Sequence, residues 1–256
     1  MATLSGPLQT FMNPKYKGIE KCTSLILDGW QDSSFTSKIL ALFPKALSSL
    51  QHLFLSHFVD PENGSQFPNC LSLERVEISS HEKPIPPFWG SNFACVTTLS
   101  FVNTNTWADF DIATLSLFPL LDDLTLFTTE EALLFGEFDS LRPVQFQFLQ
   151  ILRVHGAIPP VVLTRLVAPA LEELYIEANA LYTTPIKALL SSFGLSCLHL
   201  HALLPKGISL CDPTWATFFS KLVQKCPRLE TLYISKWMEK ECKKFADHST
   251  VVLHVL

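Results

Sequence analysis

The residues best equipped for chemistry lie in one short stretch, Cys197-Leu198-His199-Leu200-His201. A thiol and two imidazoles alternate with leucines, and a strand would turn all three polar groups to one side. His155 and Glu177 hold equivalent places in two earlier segments of the same type. Set side by side as strands about 4.8 Å apart, His155, Glu177 and His201 form one row. Imidazole and carboxylate are zinc ligands at close quarters. Tetrahedral coordination needs convergent ligand atoms, however, and a flat sheet splays its side chains. The row therefore reads as a hydrogen-bonded His–Glu–His ladder, and neither a metal nor another cofactor is expected.

No other arrangement points to catalysis. The chain has no G-x-S-x-G, no H-E-x-x-H, no G-x-G-x-x-G and no P-loop, which leaves no nucleophile elbow, zincin helix or phosphate cradle. Asp122-Asp123 and Glu172-Glu173 are consecutive residues. Consecutive strand residues face opposite sides, so neither couple is an acid–base pair. The expectation is a protein that is not an enzyme. A metal-binding enzyme using the His/Glu cluster is the alternative on the catalytic side.

The elements that must position these groups repeat along the chain. Nine copies share the order apolar, two residues, apolar, one residue, apolar, starting at Cys22, Leu50, Leu73, Val96, Leu121, Leu149, Leu171, Leu195 and Leu229. A weaker copy starts at Thr250. Most intervals fall within the window of about 20–29 residues typical of leucine-rich repeats. The fourth and sixth positions of each copy point the same way. They place Leu25, Leu27, Leu53, Leu55, Val76, Ile78, Leu99, Leu124, Leu126, Leu152, Val154, Leu174, Ile176, Leu198, Leu200, Leu232 and Ile234 inside. One such strand cannot bury its apolar face alone, whereas a stack of them shares one core.

Between copies the periodicity turns helical. Trp215, Phe218, Phe219, Leu222, Val223 and Cys226 fall on one stripe. Asp212 is placed to cap that helix, Pro213 suits its first turn, and Pro227 stops it. Further helices are expected near residues 35–47, 112–118, 161–167, 184–193 and 238–246. Strand, helix and parallel strand repeat as right-handed crossovers. The predicted fold is an α/β leucine-rich-repeat solenoid, a horseshoe with a parallel concave sheet and convex helices. Residues 19–256 form the repeat domain, and residues 1–18 an N-terminal extension or cap.

Three copies also share a longer phrase. It runs Pro119-Leu120-Leu121-Asp122-Asp123-Leu124-Thr125-Leu126, Pro169-Ala170-Leu171-Glu172-Glu173-Leu174-Tyr175-Ile176 and Pro227-Arg228-Leu229-Glu230-Thr231-Leu232-Tyr233-Ile234. This resembles the leucine-rich-repeat region of F-box proteins, notably the divergent sets of mushroom-forming fungi, over residues 19–256. The resemblance implies target recognition by the repeats within a ubiquitin-ligase system. In that family an N-terminal F-box docks on a Skp-type adaptor. Here the first strand begins near Cys22, and residues 1–18 lack a Leu-Pro-x-Glu opening. Adaptor binding is thus expected only if an F-box lies upstream.

Composition narrows the partner class. The 256 residues are 48% hydrophobic and 17% charged, with 24 acidic and 19 basic residues and a net charge of −5. Nucleic acid is disfavoured because phosphate binding needs clustered Lys and Arg. No apolar stretch approaches the length of a membrane span. The seven cysteines are odd in number and contain no C-x-x-C, so they read as reduced thiols in a cytoplasmic or nuclear protein. Asn63-Gly64-Ser65 fits a glycosylation acceptor, a pattern that matters only in a secreted protein. The outward strand positions supply the candidate protein-binding surface on the concave face. They are Phe54, Arg75, Phe127, Arg153, His155, Tyr175, Glu177, His199, His201 and Tyr233. Aromatic and Arg side chains are natural interface anchors. The partner is expected to be an unidentified protein target and the chain a monomer. The alternative is a structural or degenerate repeat protein without a dedicated ligand.

Overall fold

Alternating side chains set the sheet. The computed structural model describes residues 2–4, 23–27, 49–56, 70–80, 93–103, 112–131, 143–157, 163, 165–178, 195–202, 213–246 and 250–256. Each repeat copy becomes a strand: β2 (Ser24–Leu27), β3 (His52–Ser56), β4 (Arg75–Ser80), β5 (Thr98–Asn103) and β6 (Asp123–Glu131). The series continues with β8 (Ile151–Ala157), β10 (Glu173–Ala178), β11 (Cys197–Ala202), β12 (Thr231–Ile234) and β13 (Val252–Val255). β1 (Ala2–Leu4), inside the segment read as an extension or cap, pairs with β2. These strands form one parallel sheet of 11, almost entirely in chain order: β1-β2-β3-β4-β5-β6-β8-β10-β11-β12-β13. β7 (Val144–Gln145) and β9 (Leu166–Val167) pair separately. The result is a solenoid-like stack of parallel strands.

The register holds from strand to strand. Leu53, Val76, Leu99, Leu124, Leu152, Leu174, Leu198 and Leu232 pair in succession and all are buried. Leu55, Ile78, Phe101, Leu126, Val154, Ile176, Leu200 and Ile234 make the second inner row, also buried. Full burial of such a side chain contributes about 1.5–3 kcal/mol, so the two rows are the main source of cohesion. The side chain of Leu27 lies outside the described residues. The weak last copy behaves differently. Leu253 is only partly buried and Val255 is 39% exposed, because β13 is the last strand of the sheet and has a neighbour on one side only.

The shared Pro phrase has a backbone meaning. The amide of the first motif residue donates to the carbonyl three residues earlier, as in Leu121 N to Phe118 O at 3.2 Å, Leu171 N to Ala168 O at 3.2 Å and Leu229 N to Cys226 O at 3.0 Å. Pro119, Pro169 and Pro227 occupy the second position of these turns, where a fixed φ near −65° fits. The residue before each proline is buried: Phe118, Ala168 or Cys226. The next carbonyl then joins the layers. Asp122 O accepts from both Gln150 N and Ile151 N, at 2.8 and 3.0 Å, and Glu172 O accepts from both Ser196 N and Cys197 N.

Two α-helices are described. α1 (Pro213–Lys225) starts at the expected proline and buries Phe218, Phe219 and Leu222 against the strands' apolar rows. Asp212 and the side chains of Trp215 and Val223 lie outside the described residues. α2 (Glu239–Ala246) follows a 3-10 turn at Lys236–Met238, with Met238 and Cys242 buried. Lys236 and Lys243 both pair with Glu239, at 2.7 and 2.8 Å. The expected helices at 35–47 and 184–193, and Asn63-Gly64-Ser65, fall outside the described residues.

Two other expected helices differ in kind or extent. Ile112–Leu117 is a 3-10 helix. Within 161–167, Leu163 and Arg165 are helical as expected, but Leu166–Val167 is the strand β9, bonded to β7, and Phe146 N donates to Val167 O at 2.8 Å. Pro169 follows closely, and proline disfavours helical backbone in the residue before it, here Ala168. Around β7, buried Val144 and Phe146 alternate with exposed Gln145 and Gln147, a strand period. Among the described residues no helix is long and apolar enough to cross a membrane.

Candidate functional site

The outward positions of β6–β13 meet as continuous rows on the open face. In the middle row Thr125, Arg153, Tyr175, His199, Tyr233 and His254 pair strand by strand. The inner leucines on either side hold each of these strands to the core, so the rings stand beside one another. Tyr175 and His199 have centroids 5.6 Å apart, tilted by 42°. His199 stacks on Tyr233 at 5.3 Å and 20°, and Tyr233 on His254 at 4.6 Å and 15°. The Arg153 guanidinium lies over the other side of the Tyr175 ring, 5.4 Å from its centroid. One cation and four rings thus form a column across β8–β13, in the range where cation–π and aromatic pairs attract.

Carboxylates hold this column in place. Arg153 Nη1 donates to Asp123 Oδ1 in a short ion pair. The Tyr175 hydroxyl donates to Glu173 Oε2 at 2.8 Å. Burial pushes the Tyr175 phenol well above its ordinary range, and the bond to Glu173 adds to this because only the neutral phenol can donate. Burial also raises the Cys197 thiol, partly offset by its bond with Tyr175. A thiol held above its usual range stays protonated and is a poor nucleophile.

The row above contains the histidine ladder. Glu177 Oε2 sits 3.2 Å from His155 Nδ1, and Glu177 Oε1 sits 3.6 Å from His201 Nδ1. The first is a hydrogen bond, whereas the second is too long for one. The carboxylate spans its two neighbours with separate oxygens and remains 54% exposed. Phe127 packs against His155 at 6.1 Å, and His199 meets His201 edge-on at 6.5 Å. His199 titrates below the ordinary imidazole range. Burial is the larger cause and the neighbouring His201 charge the next, while Glu177 opposes both. Among the described residues no group of three His, Cys, Asp or Glu is arranged to hold a metal ion.

Eight of the ten residues named from the sequence therefore come together: Phe127, Arg153, His155, Tyr175, Glu177, His199, His201 and Tyr233. Phe54 and Arg75 share the open face on β3 and β4. Arg75 lies three strands from Arg153 in the sheet order, roughly 14 Å away at the usual spacing. Asp123, Glu173 and His254 were not among the ten. Asp123 and Glu173 were visible as part of the Pro phrase, and His254 as the fifth position of the weak last copy. No protein-family model matches the chain, and no curated protein sequence matches it either.

Proposed function

We propose that the chain is a leucine-rich-repeat horseshoe whose open face is concave, with its helices on the convex side, and that it serves as a protein-interaction scaffold. Its role is target recognition in an F-box/ubiquitin-ligase-like system, in the cytoplasm or nucleus, as a monomer. The observation that carries this reading is the column Arg153–Tyr175–His199–Tyr233–His254. It presents Arg and Tyr together on a half-buried surface, the combination that dominates binding energy at protein interfaces. Its groups are already held in place by Asp123 and Glu173, so little side-chain entropy is lost on docking. The protonated thiol of Cys197 and the single-carboxylate ladder support recognition over catalysis. The Pro-x-Leu-acidic phrase supports the F-box association, with a Skp-type adaptor as partner only through an F-box upstream.

The test compares capture by the wild-type chain with capture by Tyr175→Ala/Tyr233→Ala, using lysate of the source organism and quantitative mass spectrometry. The expected result is a small set of proteins retained by the wild type and reduced about tenfold or more by the double variant, as the loss of two anchors implies. Identical capture by two equally folded chains would overturn the reading.

A further inference from the structure

The formal charge of the chain is modest, but it is unevenly placed. The rim residues whose carbonyls join successive layers are Thr23, Gln51, Glu74, Thr97, Asp122, Gln150, Glu172, Ser196 and Glu230. Four are acidic and none is basic. Directly beside this rim, the open face from β6 to β12 adds Asp123 and Glu173, and Glu177 lies farther along β10, beyond Tyr175. The open face offers two guanidiniums in return, Arg75 on β4 beside Glu74 and Arg153 on β8, and Asp123 already takes the second. Lys225 and Arg228 sit at the end of α1 and in the turn after it, outside these rows.

A second observation shows that this charge is under-compensated. Asp122 Oδ1 is buried and has no hydrogen-bond partner among the described residues. Its carboxyl is pushed above the ordinary range by burial and then by the charges of Asp123 and Glu172. Buried, unpaired polar atoms are rare and mark places where a partner is missing. A field of this sign repels nucleic acid and anionic lipid and attracts cationic protein segments.

We propose that the open face across β6–β12, with its acidic rim, docks a Lys/Arg-bearing segment of a partner protein, with Glu177 as the central anion. The inference rests on the protein-recognition reading and names the chemistry of its partner. The ring column supplies contact area, its edges facing the segment because its faces are stacked on each other. Glu173 and Glu177, on either side of Tyr175 along β10, supply the charge.

The test is selection of random displayed peptides on the immobilised full chain at neutral pH. Enriched peptides are expected to carry two or more Lys or Arg residues. Their binding should fall about tenfold or more in Glu173→Gln/Glu177→Gln and weaken steeply with added salt, a readout that needs no variant. Acidic or apolar peptides that bind the Tyr175/Tyr233 face and ignore both changes would overturn the basic partner and leave recognition standing. Basic peptides indifferent to Glu173→Gln/Glu177→Gln would overturn it too. No enrichment sensitive to Tyr175→Ala/Tyr233→Ala would overturn both readings together.

Discussion

Tyr175 is the residue on which the site turns. Its hydroxyl is fixed by Glu173, one ring face by Arg153 and the other side by His199. Exposed ion pairs contribute only about 0–1 kcal/mol each, so these contacts matter for position more than for stability. Glu173→Gln removes the charge that disfavours phenolate, and the Tyr175 phenol should then titrate closer to its ordinary value of about 10. Ultraviolet absorbance titration against a Tyr16→Phe/Tyr182→Phe/Tyr233→Phe background, in which Tyr175 is the one tyrosine left, measures it; an upward move would show that Glu173 is not the acceptor. His199 gives a second prediction at this scale. Its folded form favours the neutral imidazole, so its contribution to stability is present above the unfolded value, about 6.5. That contribution is lost as pH falls through the lower folded value. Thermal stability should therefore fall with acidification below about pH 6.5, less so in His199→Gln. Equal acid sensitivity in both chains would mean that His199 is as easily protonated folded as unfolded. The alternation in Leu174-Tyr175-Ile176 and Leu198-His199-Leu200 made the rows legible in the sequence. The pairing of Arg153 with Asp123 was not, because it depends on which way two long side chains turn within a row.

At the scale of the element, the turn before each strand carries the clearest physical rule. Phe118, Ala168 and Cys226 precede prolines, while Cys70 and Phe93 open the same turn without one. Val96 N donates to Phe93 O at 3.1 Å, the bond seen at the proline turns. The backbone at Ala94 should thus accept proline. Ala94→Pro is expected to stabilise the domain by about 0.4–1 kcal/mol through the unfolded chain's reduced freedom, and Pro169→Ala to cost a similar amount. Denaturant midpoints at constant slope measure both; a destabilised Ala94→Pro would show that the two turns differ in backbone. These strands and α1 could be read in advance because their apolar spacing is long and regular. The pair β7 and β9 could not, because each is two residues long and their alternation is drowned by neighbouring prolines. The insertion in β6 between Phe127 and Glu131 was equally hidden. Opposite it, Gly156 takes φ 86°, a left-handed backbone that a Cβ would disfavour, directly after His155.

For the whole molecule, a stack of layers makes damage depend on position. Each layer contacts mainly its neighbours, so stability is approximately a sum of layer and interface contributions. Leu174 is fully buried between Leu152 and Leu198. Leu253 has Leu232 on one side and is only partly buried. A carboxylate at the first position has no water and no partner, costing several kcal/mol against a net stability of roughly 5–15 kcal/mol. At the second position it can turn toward solvent. Leu174→Asp is therefore expected to abolish the folded state near room temperature. Leu253→Asp should leave a cooperative transition only slightly lowered, with the Tyr175–His199 part of the face intact. Circular dichroism melts of the two variants decide the matter. Equal losses would show that the sheet unfolds as one indivisible unit, and that β13 is as essential to the core as β10.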